Sequence, residues 1–237
     1  MLPAPLARDE VHVWNIDLNR DPTPFRDLLS VEELRRAECF RFEQDREHFL
    51  VARGMLRALL ARYLGAAPTA LCFVYGEHGK PRLVAPETGL RFNLSHSHGR
   101  ALIAVAEGRD VGVDLEYVHR RVAEERVAQR YFSPEEVAAL RALPPAERKA
   151  AFFRGWSRKE AYLKARGDGI HYGLRHFTVS LAPDEPAALL ANTLHPEEVT
   201  RWTLRNLDVG PDFAACVAAE GAGWTLRTFD ASRLPAG

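Results

Sequence analysis

Two acidic residues on one predicted strand have the spacing of paired metal ligands. Asp114 and Glu116 lie two residues apart in Val111–Val118, whose alternating pattern predicts a β-strand. Side chains alternate along a strand, so both carboxylates point to one face and the apolar residues between them to the other. Neighbouring carboxylates repel each other unless a cation lies between them, and hard oxygen ligands suit Mg²⁺ or Mn²⁺. The alternative is a half-exposed strand with a solvated acidic face, because so short a pattern recurs by chance.

A helix predicted from about Ala146 to Arg166 carries a third carboxylate and a lysine. Glu160 and Lys164 are four residues apart, so they share one face of that helix. Apolar residues recur along it at helical spacing, and Gly167 ends it. A second long helix, predicted from about Glu43 to Leu64, carries several arginines. A charged side chain on a helix is usually solvated, and this interpretation is favoured for Arg57.

Two further stretches offer groups that suit phosphate oxygens. The glycine-rich turn Gly76–Pro81 presents Lys80, which is held by the proline that follows it. In Arg91–His98, read R-F-N-L-S-H-S-H, hydroxyl and imidazole side chains crowd the end of a predicted strand, and such groups bond phosphate oxygens. The spacing of His96 and His98 could also suggest zinc, but no third ligand lies nearby in the sequence.

The composition is that of an ordinary globular protein. The chain has 237 residues, of which 32 are Lys or Arg and 32 are Asp or Glu, so its formal net charge is zero. Three scattered cysteines form no zinc-binding or redox motif and indicate a reducing compartment. There is no signal-peptide pattern and no apolar run of membrane length. We therefore expect a cytoplasmic protein that binds neither nucleic acid nor membranes.

The two halves of the sequence resemble each other. Phe49–Gly54 is similar to Tyr162–Gly167, and Leu102–Gly108 is similar to Ala215–Gly221, in both cases 113 positions later. These matches predict an α+β fold with a pseudo-twofold duplication, each copy a long helix packed on an antiparallel sheet. We place the N-terminal half at residues 1–116 and the C-terminal half at 117–237, with the active site at their interface. The acidic strand would then close the first copy, and the third carboxylate would belong to the second.

Two motifs at a fixed spacing resemble the signature of a known enzyme family. Gly112–Glu116 (G-V-D-L-E), followed forty residues later by Trp156–Lys164 (W-S-R-K-E-A-Y-L-K), looks like the two-part signature of the Sfp-type 4′-phosphopantetheinyl transferases. Shorter matches support it at Gly79–Pro81, Phe92–Ser97 and Arg130–Ser133. The resemblance extends over most of the chain. The length and the internal duplication fit this branch rather than the short holo-acyl-carrier-protein synthases.

The resemblance implies a reaction and a set of catalytic roles. The family transfers the phosphopantetheine arm of coenzyme A to a serine of an acyl, peptidyl or polyketide carrier protein and releases 3′,5′-ADP. By resemblance, Asp114, Glu116 and Glu160 hold one Mg²⁺, or Mn²⁺, against the pyrophosphate. Glu160, or a water that it holds, takes the proton of the serine hydroxyl. Lys164 stabilises or protonates the leaving phosphate, and Lys159 faces the phosphates.

The resemblance also implies which residues bind the rest of coenzyme A. The positions that match the family's adenine and 3′-phosphate site are Lys80, Pro81, Ser95 and His96. A basic residue on the first long helix completes the 3′-phosphate pocket in the family, and here either Arg46 or Arg53 could match it.

A basic segment follows the acidic strand, and carrier proteins generally present acidic helices. We expect Arg120 and Arg121 to bind the carrier, and predict that reversing both charges raises the KM for the carrier but not for coenzyme A. The alternative is a solvated loop. Because the active interface would lie within one duplicated chain, we also expect a monomer.

Two other functions remain open on the residues alone. One is a Mg²⁺-dependent hydrolase of a nucleotide pyrophosphate, which would use the same carboxylates without a groove for a protein. The other is a non-enzymatic module that binds carrier proteins or coenzyme A. Such a module would have no use for a leaving-group lysine at position 164.

Overall fold

The computed structural model describes residues 5–76, 79–167, 169, 172–231 and 234, and these form two compact units. The first unit consists of the residues up to Gly108 together with those from Leu226 onward, and the second is Arg109–Thr225. The predicted boundary between residues 116 and 117 therefore lies too far along the chain. The physical reason is backbone pairing: the acidic strand pairs within the second unit, and the last strand pairs within the first.

The helices and strands follow one another in an order that mixes both types throughout the chain. They are β1 (Glu10–Asp17), α1 (Thr23–Arg26), α2 (Val31–Glu38), α3 (Glu43–Leu64), β2 (Cys72–Tyr75), β3 (Pro81–Ala85), β4 (Leu90–Ser97), β5 (Arg100–Glu107), β6 (Val111–Tyr117), α4 (Glu124–Tyr131), α5 (Pro134–Ala142), α6 (Pro145–Arg166), β7 (Phe177–Val179), β8 (Leu189–Asn192), α7 (Glu198–Arg201), β9 (Trp202–Asn206), β10 (Phe213–Glu220) and β11 (Thr225–Asp230). The α+β prediction is confirmed. None of the described helices is both long and apolar enough to cross a membrane.

The first unit is built on a four-stranded sheet of order β11-β1-β5-β4. Strands β1 and β5 are antiparallel, with Val11 opposite Ala106. Helix α3 shares a buried apolar cluster with this sheet, since residues such as Leu56 pack in the same core as Ile103. The helix has the predicted limits, and Gly65 ends it in the left-handed conformation at φ 60°.

The second unit has a three-stranded sheet of order β6-β10-β9, and α6 packs on β6 and β10. The approach of helix to strand is closest at Gly112. A Cβ atom at that position would overlap the backbone of Ala161 and Ala165 on α6. A glycine is therefore required here for the helix to lie directly on β6.

The two units repeat the same sequence of elements. Each begins with a strand, β1 or β6, continues through a helix that opens with a serine capping box, and reaches a 22-residue helix. Each ends with a strand that pairs with the first, and Val111 lies opposite Ala219 as Val11 lies opposite Ala106. Strand β6 therefore opens the second copy, and the prediction that it closes the first is wrong.

One of the sequence matches behind the predicted duplication is structurally correct and the other is not. Leu102–Gly108 and Ala215–Gly221 both end a strand, β5 or β10, in a glycine with positive φ. Gly54, however, lies in the middle of α3 against Phe25, whereas Gly167 ends α6. The two helices correspond through their terminal glycines instead, and local similarity of small and apolar residues produced the false match.

We predict that Gly112→Ala destabilises the protein by about 1–3 kcal/mol, because the methyl group would force α6 away from β6. Urea unfolding followed by circular dichroism would measure the change as a lower midpoint. Gly76→Ala is the matched control, since a Cβ there would meet only one atom at ordinary van der Waals distance. Equal midpoints for the two variants would contradict the close packing of α6 on β6.

Candidate active site

The acidic side of β6 faces α6. Asp114 and Glu116 lie on the same side of the strand as Gly112, which touches the helix backbone. Both carboxylates are buried, with 3% of Asp114 and 9% of Glu116 exposed. On α6, Lys164 donates a hydrogen bond from Nζ to Oδ1 of Asp114 over 2.6 Å. A solvated acidic face is therefore excluded.

The three predicted metal ligands interact electrostatically within the second unit. Burial raises the pKa of Glu116 to about 7, and the charge of Asp114 adds to the effect. Burial, and then the charge of Asp114, also raise the pKa of Glu160. The buried Oε1 atom of Glu160 has no hydrogen-bond partner among the described residues. All three carboxylates belong to one unit, so the expectation that two halves contribute them is wrong.

The strand carboxylates are in contact with cations of the protein itself. Lys164 bonds Asp114, and Nη2 of Arg120 lies 3.2 Å from Oε2 of Glu116. Within the described part of the chain, no three acidic, histidine or cysteine side chains are arranged so that they could hold a metal ion together. The chemistry of the donor set nevertheless fits a divalent cation, since buried carboxylates with raised pKa values and an unpartnered Glu160 oxygen would all gain from one.

Lys159 lies in the interior of the second unit, although it was predicted to face the phosphates of coenzyme A. Its side chain is fully buried, and Nζ lies 2.8 Å from Oε2 of Glu136. The same nitrogen donates to the backbone oxygens of Leu174 at 2.8 Å and Phe177 at 2.6 Å. An ammonium group has three donors, and these three acceptors use all of them. The prediction that Lys159 faces the phosphates is therefore wrong.

The first unit gathers three of the predicted coenzyme A residues around one cavity. Arg53, Pro81 and His96 line a space of about 260 Å³. Arg53 donates to Tyr75 over 2.9 Å and forms an ion pair with Glu33. The structure thus favours Arg53 over the other helix arginine as part of this cavity.

The remaining predicted residues of the first unit are not among the described residues that line that cavity. Arg46 is a half-exposed residue on α3 and forms an ion pair with Glu43. Lys80 is half-buried in the turn before Pro81, and Ser95 is buried on the face of β4 opposite His96.

A larger cavity in the same unit brings in Asn19 and His48, which the sequence analysis did not single out. It has a volume of about 520 Å³, and His96 lines it together with Asn19, His48 and His98. Nε2 of His48 lies 3.2 Å from Oδ1 of Asn19. The helical period could have identified His48 from the sequence. It is four residues from Ala52, so the two lie on one face of α3, and Ala52 lines the smaller cavity.

The basic segment after β6 divides into two kinds of residue. Arg120 contacts Glu116, and its guanidinium also lies 5.4 Å from the ring centroid of Phe153. Arg121 is exposed and forms no ion pair with the described residues. Of these two arginines, Arg121 is therefore the one that could contact a partner without losing a contact to the acidic cluster.

Comparison with protein-family models gives two matches. Residues 110–218 match the model of the 4′-phosphopantetheinyl transferase superfamily, and residues 20–108 match the model described as 4′-phosphopantetheinyl transferase, N-terminal. The two matches meet where the structure divides into units, between Gly108 and Arg109.

Curated relatives match over most of the chain. The 4′-phosphopantetheinyl transferase HetI of Nostoc sp. is 42% identical over 94% of this chain and 94% of its own length. The 4′-phosphopantetheinyl transferase Sfp of Bacillus subtilis is 26% identical over 82% of this chain and 84% of its own length. Among solved structures, an ACPS–CoA complex from Chronobacterium ammoniagenes matches 50% of this chain and 99% of that chain, with 21% identity and a TM-score of 0.37.

We predict that Lys159→Met costs about 3–5 kcal/mol of stability, because it leaves the buried carboxylate of Glu136 without its cation. Thermal and urea unfolding would measure the loss. The double variant with Glu136→Gln should lose less than the sum of the two single variants, since no unpaired charge is then left inside.

Lys149→Met on the same helix is the control for this prediction. Its ion pair with Glu124 is half-exposed and 3.7 Å long, so the loss should be only about 0–1 kcal/mol. A loss as small as this for Lys159→Met would show that Lys159 does not anchor α6.

Proposed function

The chain belongs to the 4′-phosphopantetheinyl transferase superfamily, and on that premise we propose how its residues carry out the transfer. Its homologues over most of its length are 4′-phosphopantetheinyl transferases, and this chain is such an enzyme: it transfers phosphopantetheine from coenzyme A to carrier proteins. The observation that carries the mechanism is the acidic cluster of the buried Asp114 and Glu116 with Glu160, in which Lys164 is bonded to Asp114.

The reaction exchanges one phosphate ester for another. The serine oxygen of the carrier forms a bond to the phosphorus that bears pantetheine, and the bond from that phosphorus to the bridging pyrophosphate oxygen breaks. Phosphopantetheine is then attached to the serine, 3′,5′-ADP leaves, and the serine proton must be accepted. The protein therefore has to neutralise a pyrophosphate, accept one proton and stabilise the leaving phosphate.

Asp114, Glu116 and Glu160 would hold one Mg²⁺ in this mechanism. When bound, the ion would supply charge neutralisation of the pyrophosphate and polarisation of the phosphoryl group. The support for these ligands is the burial of Asp114 and Glu116 and the raised pKa values of Glu116 and Glu160. Mn²⁺ has the same preference for oxygen ligands and could take the same place.

Glu160 and Lys164 would handle the proton and the leaving group. Burial raises the pKa of Glu160, so its carboxylate is a stronger proton acceptor than an exposed one, either directly or through a water. Lys164 lies four residues further along the same helix and carries the positive charge that a departing phosphate needs. Its contact with Asp114 holds it at the acidic cluster.

The adenosine and 3′-phosphate end of coenzyme A would bind to the first unit. Arg53, Pro81 and His96 line one cavity there, and Lys80 and Ser95 lie next to two of them in the sequence. Arg53 and Arg57 both donate to the one carboxylate of Glu33, so this group of three side chains has a net positive charge. Arg53, which also donates to Tyr75, belongs to this group. These contacts, the location of the active site at the junction of the halves, the cytoplasmic location and the monomeric state stay predictions.

The alternatives of a pyrophosphate hydrolase and of a non-enzymatic module are not favoured. The homologues that match across most of the chain are named as transferases. An intact lysine at position 164, bonded to the acidic cluster, is also expected of an enzyme with a leaving phosphate.

Incubation with coenzyme A, Mg²⁺ and an apo acyl or peptidyl carrier protein should increase the mass of the carrier by one phosphopantetheine. Glu160→Gln should reduce the rate by at least about a hundredfold, the low end of what a general base contributes, and EDTA should stop the reaction. Intact-protein mass spectrometry measures the product and chromatography measures 3′,5′-ADP.

The outcomes of this experiment separate the parts of the proposal. Labelling at the normal rate by Glu160→Gln would remove Glu160 from the mechanism. Full activity after treatment with EDTA would remove the metal. Release of a nucleotide without any labelled carrier, tested with several carriers, would indicate the hydrolase instead.

We predict that Arg121→Glu raises the KM for the carrier severalfold and leaves the KM for coenzyme A unchanged, because it reverses an exposed charge that faces an acidic partner. Arg121 replaces the pair Arg120 and Arg121 in this test, since Arg120→Glu would place a fourth carboxylate beside Glu116. Steady-state kinetics with each substrate varied in turn measures both constants. Equal increases in the two would count against a carrier contact.

A further inference from the structure

The ion pair between Arg120 and Glu116 joins a half-exposed side chain to a largely buried carboxylate. Arg120 is 43% exposed while Glu116 is 12% exposed at the side chain. In the pair of Lys159 with Glu136, by contrast, both side chains are fully buried. One member of the Arg120 pair can therefore move into solvent while the other stays in place.

The position of Arg120 follows from the turn at the end of β6. The strand ends at Tyr117, and the backbone N–H of Arg120 donates to the Tyr117 oxygen over 3.5 Å. This turn brings the side chain back over the residue four positions earlier, Glu116. The guanidinium also lies 5.4 Å from the ring centroid of Phe153 on α6, a contact that does not use its N–H donors.

Arg120 contacts a carboxylate that would be one of the proposed metal ligands. Glu116 offers Oε2 to Arg120, and the described carboxylates of the cluster are not arranged to hold a metal ion together. Three carboxylates share two cations, Arg120 and Lys164, and the pKa of Glu116 is lowered by both of those cations, although burial raises it overall. The arrangement is therefore that of an acidic site closed by its own side chains.

We propose that Arg120 is an exchangeable counter-ion of the active site. It pairs with Glu116 when no divalent cation is bound, and it must leave that carboxylate for the ion to be held. Arg120 thus lowers the affinity of the free enzyme for metal and positions Glu116 until the ion arrives. The inference rests on the proposed role of Asp114, Glu116 and Glu160 as metal ligands.

The exchange couples the metal to the carrier. Once released, the guanidinium belongs to the same exposed basic segment as Arg121 and Arg126. An acidic carrier surface that attracts Arg120 therefore frees Glu116 for the ion. By thermodynamic reciprocity, a carrier that draws Arg120 away increases the affinity for metal by the same factor by which metal increases the affinity for the carrier.

The test is a titration of the protein with Mn²⁺ in the absence of coenzyme A, in which electron paramagnetic resonance measures the free ion. Arg120→Gln should bind Mn²⁺ about two- to fivefold more tightly than the natural protein, the range expected for loss of a half-exposed ion pair. Arg121→Gln removes the same charge one residue away and should change the affinity much less at about 0.15 M salt, where screening acts over about 8 Å.

Glu160→Gln separates this inference from the proposed metal site. If Glu160→Gln weakens Mn²⁺ binding and Arg120→Gln does not tighten it, the exchange is overturned and the metal site stands. If Glu160→Gln binds Mn²⁺ as the natural protein does, the proposed ligands and the exchange both fail. Tightening in Arg121→Gln equal to that in Arg120→Gln would show a general charge effect and would also overturn the exchange.

A second titration tests the coupling. Saturating apo acyl carrier protein should tighten Mn²⁺ binding by the natural protein and have little effect on Arg120→Gln, in which Glu116 is already free. An equal effect of the carrier on both proteins would overturn the coupling.

Discussion

Both units depend on the same interaction, a buried cation on the long helix, α3 or α6. This cation pairs with the capping-box glutamate of the preceding helix and donates hydrogen bonds to backbone oxygens of the segment that follows the long helix. In the first unit, Nε of Arg57 lies 2.6 Å from Oε2 of Glu33, and in the second, Nζ of Lys159 lies 2.8 Å from Oε2 of Glu136. Arg57 also donates to the backbone oxygens of Pro68 and Leu71, as Lys159 does to those of Leu174 and Phe177. Because a buried charge must be paired and hydrogen-bonded, each cation fixes three parts of the chain at once.

This interaction has a direct consequence for the active site. Lys159 and Glu160 are consecutive on α6, so the buried lysine and the carboxylate proposed to accept the serine proton project from one turn of the helix. With the rotation of α6 fixed by Lys159, Glu160 and Lys164 are held toward β6, where Gly112 lets the helix approach. Helix α6 thus carries both the buried Lys159 and the two side chains, Glu160 and Lys164, that lie toward β6.

The two units differ in chemical character at equivalent strand positions. Trp14 lies opposite Ile103 in the first sheet, and Asp114 has the equivalent place in the second, opposite Cys216. Trp14 belongs to the apolar core of its unit, whereas Asp114 bonds Lys164. Equivalent positions therefore hold an apolar core residue in one copy and a carboxylate bonded to a lysine in the other.

Local pattern in the sequence was sufficient for much of the fold and for part of the site. Helical spacing predicted α3 and α6 to within one residue, and Gly167 was correctly predicted to end α6. The two-residue spacing of Asp114 and Glu116 placed them on one face of a strand. These features depend on periodicity and on hydrogen bonds within a few residues, which any chain of this sequence must satisfy locally.

Tertiary structure alone decided which charged side chains point inward and which strands pair. Lys159 and Lys164 are both lysines on one amphipathic helix, and only packing against Glu136 and Asp114 distinguishes an anchor from a site residue. On the sequence alone, strand β6 could have ended the first unit or begun the second. It begins the second, because it pairs with β10, more than ninety residues later. Such contacts join residues far apart in the sequence, so their energies are not encoded in any local pattern.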